Sequence, residues 1–443
     1  MNHAPRTRVR LALVFMLFVL SAIAFLDRTN ISVAGVQMQQ AYGIDKVKLG
    51  WVFSAFLIGY AAFQIPAGWL AARLGPRRVL ALGVCWWGLF TALTAVVPTG
   101  AGSALWLLVL VRLALGAGEA VVYPAGNQFL ARWIPVQERG KANGWIFAGV
   151  GAGSGLTPPL VSAVIAGFGW RASFYVCAVI GVAAGLIWYL VARDRPEEHP
   201  AVSPSELAHI HAGLDRGARA ARPPTPWSAI FANRDVWALF ASYFAFGYVI
   251  WLFFSWFFIY LAEARHLDLK SSAVFAMAPF IAMTICCLSG GVINDVVSRR
   301  YGLFWGRCGL AVLAFLLTAT FLLAGMGVAN VGLAVAILAG GAGAIYLGQS
   351  SFWAACTDIA GVHTGVVSGF MNMGCQIGGA ITASLTPWIA AQYGWTAAFA
   401  TAAVIALAGG ACWLMVDPTR PLVRAPSPTL SSPDGSTQEA VVA

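Results

Sequence analysis

Long apolar runs recur along the chain, separated by short polar turns. Each is close to the roughly twenty residues that a helix needs to cross a bilayer. They fall at about 11–36, 49–72, 78–98, 104–130, 141–167 and 171–192. After a polar stretch they resume at about 235–262, 271–296, 303–325, 328–356, 364–391 and 395–416. Lipid offers no partner to an open backbone N–H or C=O, so such runs predict α-helices. The expectation is an all-α polytopic membrane protein with six spans on either side of a linker. The expected divisions are a six-helix bundle over 1–192, a linker over 193–234, a second six-helix bundle over 235–416 and a disordered tail over 417–443. Within the linker, Ser203-Pro204-Ser205-Glu206 reads as a capped helix start.

Composition agrees with that pattern. Of 443 residues, 59% are hydrophobic and 10% charged, against roughly 25% charged in a soluble domain. A water-soluble globule is excluded. The net charge of +10 would suit nucleic acid, but its placement explains it otherwise. If the N-terminus is cytoplasmic, only Lys46, Lys48, Arg171, Arg265 and Lys270 lie on the far side. Arg28 and Arg112 lie inside spans, and every other Lys or Arg is cytoplasmic. Such a bias places both termini inside, in a cell's inner (plasma) membrane, and no nucleic-acid partner is expected. Arg6, Arg8 and Arg10 before Ala22-Ile23-Ala24 mimic a secretory leader. However, the apolar run continues past Asp27-Arg28 to Val36, the length of a spanning helix.

The chemistry of enzymes is missing. The eight cysteines form no Cys-x-x-Cys pair, so they read as small hydrophobes, with no metal or cofactor expected. No Gly-x-x-x-x-Gly-Lys-Ser/Thr sequence supports ATP drive. The loops hold no nucleophile–base cluster for a membrane-embedded enzyme. All six histidines lie in loops or tails, which argues against a histidine proton relay.

Four charged residues sit inside spans: Asp27, Arg28, Arg112 and Glu119. A charge at that depth costs several kcal/mol and marks a partner or a watery cavity. Arg112 and Glu119 are seven residues apart and share a helix face. Small residues around them permit close helix approach, and Pro124 frees a backbone carbonyl. A guanidinium fork matches a carboxylate, and an acid poised between burial and a nearby Arg can change protonation. The alternative is that Asp27–Arg112 or Arg28–Glu119 are structural salt bridges, although buried pairs stabilise weakly.

Two turns repeat between the halves. One reads Gly68-Trp69-Leu70-Ala71-Ala72-Arg73-Leu74-Gly75-Pro76-Arg77-Arg78. The other contains Gly291, Asp295 and Arg299-Arg300. They resemble the loop motif of the major facilitator superfamily, Gly-x-x-x-Asp-Arg-x-Gly-Arg-Arg. That resemblance implies two pseudo-symmetric six-helix bundles and a gating role for these residues. The first copy has Ala72 where the family carries an acid, which weakens that half's share of the cytoplasmic latch.

Further residues narrow the resemblance. Asp27-Arg28-x-Asn30, Arg112 to Glu119, Tyr123-Pro124, Phe53-Ser54-Ala55-Phe56 with Tyr60, Gln64, Pro66 and Gly68, and Ser368 to Asn372 with Gly378-Gly379 resemble the anion:cation symporter branch. Over residues 9–416 the resemblance implies an importer of an organic acid anion with protons, working by alternating access. It implies that Asp27 and Glu119 titrate, Arg112 couples them to binding and Arg28 grips the carboxylate. Tyr60 would close over the substrate, while Trp353 and Asn372 reach it from the second half. Asn30, Gln64, Gln349 and Gln376 complete the expected substrate set. Trp251, Trp256 and Tyr260 read as packing or interfacial aromatics. The span-5 stretch Gly149–Ser154 has no amide where galactonate-type carriers have a glutamine. That points to a smaller, less hydroxylated or aromatic acid. The expected partners are the anion, protons and the bilayer, with a monomer as working unit. Sodium coupling, and a drug or metabolite:proton antiporter of the same fold, stay open as alternatives.

Overall fold

The computed structural model describes residues 7–100, 102–135, 138–213, 227–360, 364–420 and 422. The expected disordered tail therefore lies outside the described residues beyond Leu422. The first bundle comprises α1 (Val9–Tyr42), α2 (Lys46–Leu74), α3 (Pro76–Val96), α4 (Ala104–Glu119), α5 (Val122–Trp133), α6 (Arg139–Phe168) and α7 (Trp170–Val191). The linker holds α8 (Pro204–Gly213) and α9 (Trp227–Ala232). The second bundle comprises α10 (Arg234–Ser255), α11 (Phe257–Glu263), α12 (Leu269–Tyr301), α13 (Leu310–Met326), α14 (Val331–Leu347), α15 (Gln349–Ala360) and α16 (Thr364–Cys412). No strand occurs among the described residues.

Polar caps start the apolar helices. Asp45 accepts from the backbone of Lys48, Asn233 from Val236, Asp268 from Ser271 and Asn330 from Leu333. Each satisfies a backbone donor that the first helical turn leaves open. The α16 helix carries two spans across a bend at Gly394, whose φ of 82° needs glycine. Three spans expected to be continuous are broken: at Ala120–Val121 between α4 and α5, at Trp256 between α10 and α11, and at Gly348 between α14 and α15.

The halves repeat each other in packing. In the first bundle α1 packs on α6 and α2 on α4; in the second α10 packs on α16 and α12 on α14. Glycine permits these approaches. A Cβ on Gly116 would run into the carbonyl of Phe56 on α2, and one on Gly378 into the carbonyl of Phe244 on α10. Packing and backbone approach hold membrane helices together, since lipid is as apolar as they are.

The bundles meet mainly at the end away from the termini. There Ser54 donates to the carbonyl of Ala380 at 2.6 Å, and Phe53 packs on Trp256 at 5.2 Å between ring centroids. Lys46 and Glu263 form the only ion pair between the bundles among the described residues. Towards the other end, Asn372 donates to Gln64 at 3.0 Å and Phe147 faces Trp353 at 6.0 Å across the bundles.

The linker is tied down at the termini end. Glu206 of α8, fully buried, accepts from Thr7, from the backbone N–H of Val9 and Arg10, and from the Arg10 guanidinium at 3.1 Å. It thereby caps α1, where a helix N-terminus favours a negative charge. Arg10 also donates to Glu138 at 3.0 Å, and His209 lies 2.8 Å from the same carboxylate. The Arg10 hydrogen bond holds Glu138 below the usual carboxylate range. Burial acts against the charge of Glu206, yet the donors around it hold it low as well.

Candidate functional site

Helix geometry sorts the polar residues of α1. At about 100° per residue, Ser21, Phe25, Arg28 and Ser32 share a face, and Asp27 and Asn30 share another. The first face meets the second bundle. Phe25 packs on Phe254 at 5.3 Å, and Ser32 donates to the carbonyl of Ser255 at 2.7 Å. The second face turns into its own bundle. Asn30 accepts from Ser173 of α7 at 2.8 Å, and Asp27 faces Trp87 and Thr91 of α3.

Arg28 joins the two environments. Its Nε donates to Glu119 Oε1 at 2.5 Å, and both side chains are buried. Its guanidinium carbon lies 4.4 Å from the ring centroid of Phe25, 4.6 Å from Tyr60, 5.4 Å from Phe56 and 5.9 Å from Trp251. Aromatic faces attract a cation when water is excluded. Arg112 approaches the same Phe56 ring at 5.0 Å. Asp27 is within electrostatic reach of Arg112 and Glu119. Several polar atoms here have no hydrogen-bond partner: both Asp27 carboxylate oxygens, Arg28 Nη2, Arg112 Nε and Glu119 Oε2. Buried polar groups are nearly always paired; Trp87 and Thr91 stand nearest Asp27, and Tyr60 nearest Arg28, as the side chains placed to pair with them.

A cavity of about 110 Å³ lies against Arg28, between the bundles. A second, of about 410 Å³, shares its wall at Phe147, Phe254, Gln349 and Trp353 and runs to Gly144 and Gly291 near the termini end. Among the described residues, Arg28 is the only charged side chain lining either cavity. The breaks in α4/α5 and α14/α15 serve the site. Just past the first, Tyr123 meets Ser21 at 3.2 Å and stacks on Phe147; just past the second, Gln349 donates to Tyr243 at 2.9 Å.

The structure thus brings Arg28, Tyr60, Trp353, Asn372, Gln349 and Gln376 to the cavity wall. Gln64 stands behind Asn372 as its hydrogen-bond acceptor. Asn30, expected in the substrate set, lies off the cavity, because two residues along a helix turn it about 200° from Arg28. Asp27, Arg112 and Glu119 do not line the cavity; they form a layer behind Arg28. Trp251, read from sequence as a packing aromatic, lines the cavity beside Arg28. Trp256 and Tyr260 do pack, against Phe53 and Phe399. Sequence reasoning passed over Asn127, Tyr243 and Tyr346. Their only signal was a polar group in an apolar span.

The repeated turns differ in detail. Gly75, at φ 87°, leads into α3, where the Arg77 N–H donates to Asp194 at 3.0 Å. A Cβ on Gly75 would strike the Asp194 carboxylate. Asp194 thus supplies an acid beside the turn that Ala72 does not. Arg77 also donates to the carbonyl of Tyr189, Arg73 lies over Trp69, and Arg78 follows in α3. In the second copy Asp295 lies 3.9 Å from Arg307, which Asp358 holds at 2.9 Å. Arg299 and Arg300 end α12 beyond Gly291. Both acids pair inside their own bundle.

The comparisons agree with this architecture. The model of the family described as Major Facilitator Superfamily matches residues 17–383. The chain is 33% identical over 386 residues to a probable sulfoacetate transporter of Cupriavidus necator, spanning 85% of this chain and 86% of that one. It is 32% identical over 288 residues to a probable L-galactonate transporter of Escherichia coli, covering 65% and 62%. It is 30% identical over 412 residues to a chloroplastic ascorbate transporter of Arabidopsis thaliana, covering 92% and 74%. Among solved structures, a bacterial homolog of the human lysosomal transporter Spinster, inward-facing, superposes with a TM-score of 0.74. It covers 93% of this chain and 97% of that one at 15% identity, a likeness of fold alone.

Proposed function

The chain belongs to the major facilitator superfamily, a transporter rather than an enzyme, and on that premise we propose that it imports an organic acid anion together with protons. One observation carries the reading. The sole charged group on the cavity wall among the described residues, Arg28, is already neutralised by Glu119 at 2.5 Å. An incoming carboxylate must therefore compete with Glu119 for the guanidinium. A proton on Glu119 ends that competition and leaves Arg28 free to form a charge-assisted, two-pronged contact.

Asp27 acts one layer further back. Its charge bears on Arg112 and Glu119, so a proton there alters the balance that holds Glu119 on Arg28. In the proposed cycle, outward-facing protein takes protons on Asp27 and Glu119, and the anion docks on Arg28. The bundles rock about the site, and both are released inside. The basic residues orient the chain with both termini in the cytoplasm, in an inner (plasma) membrane. The joining of the bundles at the end away from the termini, among the described residues, supports reading the present arrangement as inward-facing. The site is complete within one chain, which supports a working monomer.

The test begins with a thermal-shift screen of purified protein against carboxylic acids, since a ligand stabilises the form that binds it. The acid found is then offered to proteoliposomes. An acid-outside pH gradient is expected to drive uptake above equilibrium, and Asp27→Asn to abolish it. Uptake driven by a sodium gradient at equal pH transfers the reading to sodium coupling. Uptake driven by an acid interior transfers it to antiport.

A further inference from the structure

We propose that the central site takes a monoanion on a flat single-ring body, namely an aromatic monocarboxylate carrying one further hydrogen-bond donor such as a ring hydroxyl. The inference rests on the organic-anion reading and narrows it.

Charge sets the number of anionic groups. Among the described residues Arg28 is the only charged side chain on the wall, and the other three charged residues of the cluster stand behind it. One guanidinium matches one carboxylate. A second anionic group on the substrate would face rings and amides, buried without a counter-charge.

The wall sets the shape. Around the cavity stand Tyr60, Tyr123, Phe147, Trp251, Phe254 and Trp353. Four aromatic rings already enclose the Arg28 guanidinium, so a carboxylate docked there has its body among aromatic faces. Aromatic rings pack well on one another by offset or edge contacts. The cavity of about 110 Å³ adjoins one of about 410 Å³, and an apolar void of about 150 Å³ holds one benzene ring. A ring held on Arg28 therefore exceeds the smaller cavity and extends past Phe147, Phe254 and Trp353 into the larger one.

Unpartnered atoms set the polar substituent. On the second bundle's side, Gln349 Oε1, Gln376 Oε1 and Trp353 Nε1 are buried and lack a partner. Two of the three are acceptors, and they call for an O–H or N–H from the ligand. The Asn372 amide is already engaged with Gln64. A sugar acid with a hydroxyl on every carbon would turn most of them towards rings, where each loses its water without replacement.

Four probes decide the matter: benzoate, 4-hydroxybenzoate, sulfoacetate and galactonate, with binding to the full chain read by tryptophan fluorescence and thermal shift. The aromatic acids are expected to bind more tightly than the other two. 4-Hydroxybenzoate should exceed benzoate about tenfold, the size of one net hydrogen bond. In Gln376→Leu the ratio of those two affinities should fall towards one, whatever happens to each. Tighter binding of sulfoacetate or galactonate overturns the substrate class and leaves the anion reading standing. Equal binding of the two aromatic acids in wild type overturns the hydroxyl assignment. If none of the four binds in an Arg28-dependent way, both this inference and the anion reading fail.

Discussion

Glu119→Gln should separate anion binding from proton binding. In the wild type the 2.5 Å contact to Arg28 must be given up before a substrate carboxylate can take the guanidinium. Breaking a buried pair by removing one partner costs about 3–5 kcal/mol. Glutamine keeps the shape and can still accept one hydrogen bond from Nε, so the lower value, about 3 kcal/mol, is the relevant one. That free energy returns when an anion binds to the variant, and at about 1.4 kcal/mol per decade it is worth roughly 100-fold in Kd. The assay is the Kd of one acid across about three pH units. Where binding requires one proton, log Kd of the wild type rises by about one for each pH unit. The variant should lose the part of that slope that belongs to Glu119, keeping only what the Asp27 proton contributes, and bind roughly 100-fold tighter at the alkaline end. It should still exchange anion across a vesicle membrane but fail to concentrate it. A variant that keeps the wild-type slope, or binds more weakly at the alkaline end, would refute the competition between Glu119 and substrate.

Two other outcomes follow from the packing and from the linker. Gly116→Val should lower thermal stability by about 1–3 kcal/mol through overpacking against the Phe56 carbonyl, whereas Gly167→Ala, which meets nothing within 4 Å, should scarcely move it; equal melting temperatures would remove the close α2–α4 approach. Glu138 and Glu206 both titrate below their ordinary value near 4.5, so their contribution is complete above that pH and is lost as pH falls through the lower folded values; hydrogen exchange at α8 should rise there, Glu206→Gln should raise it already at neutral pH, and unchanged exchange in that variant would show that the carboxylate does not hold the linker.

The spans were legible because transfer into lipid dominates every other term, and a run of twenty apolar residues has few other uses. The breaks at Ala120, Trp256 and Gly348 were not, because the chain stays apolar through them. Hydropathy records the side chains and is blind to a missed backbone hydrogen bond. The four charges announced themselves by their cost, and of the two pairings that sequence offered, Arg28–Glu119 is made, through the single hydrogen bond from Nε to Oε1. Asp27 has Arg112 in electrostatic reach without a hydrogen bond to it. Asn30 was misplaced although helix geometry alone sets it on the Asp27 side. Motif residues that are neighbours in sequence need not be neighbours in space. The aromatic cavity was least legible, since Trp251 and Tyr243 look like the many ring residues that anchor a protein in lipid.

The layering of the site has an evolutionary consequence. Of the four buried charges only Arg28 lines the cavity wall; Asp27, Arg112 and Glu119 stand behind it. On the proposed coupling, selectivity can be rewritten at Trp251, Trp353, Gln349 or Gln376 while Asp27, Arg112 and Glu119 are inherited intact. A lineage built this way can diversify its diet one wall residue at a time. Under the proposed mechanism each intermediate would still run on the same gradient, and loss of one nutrient would not cost the descendants their motor.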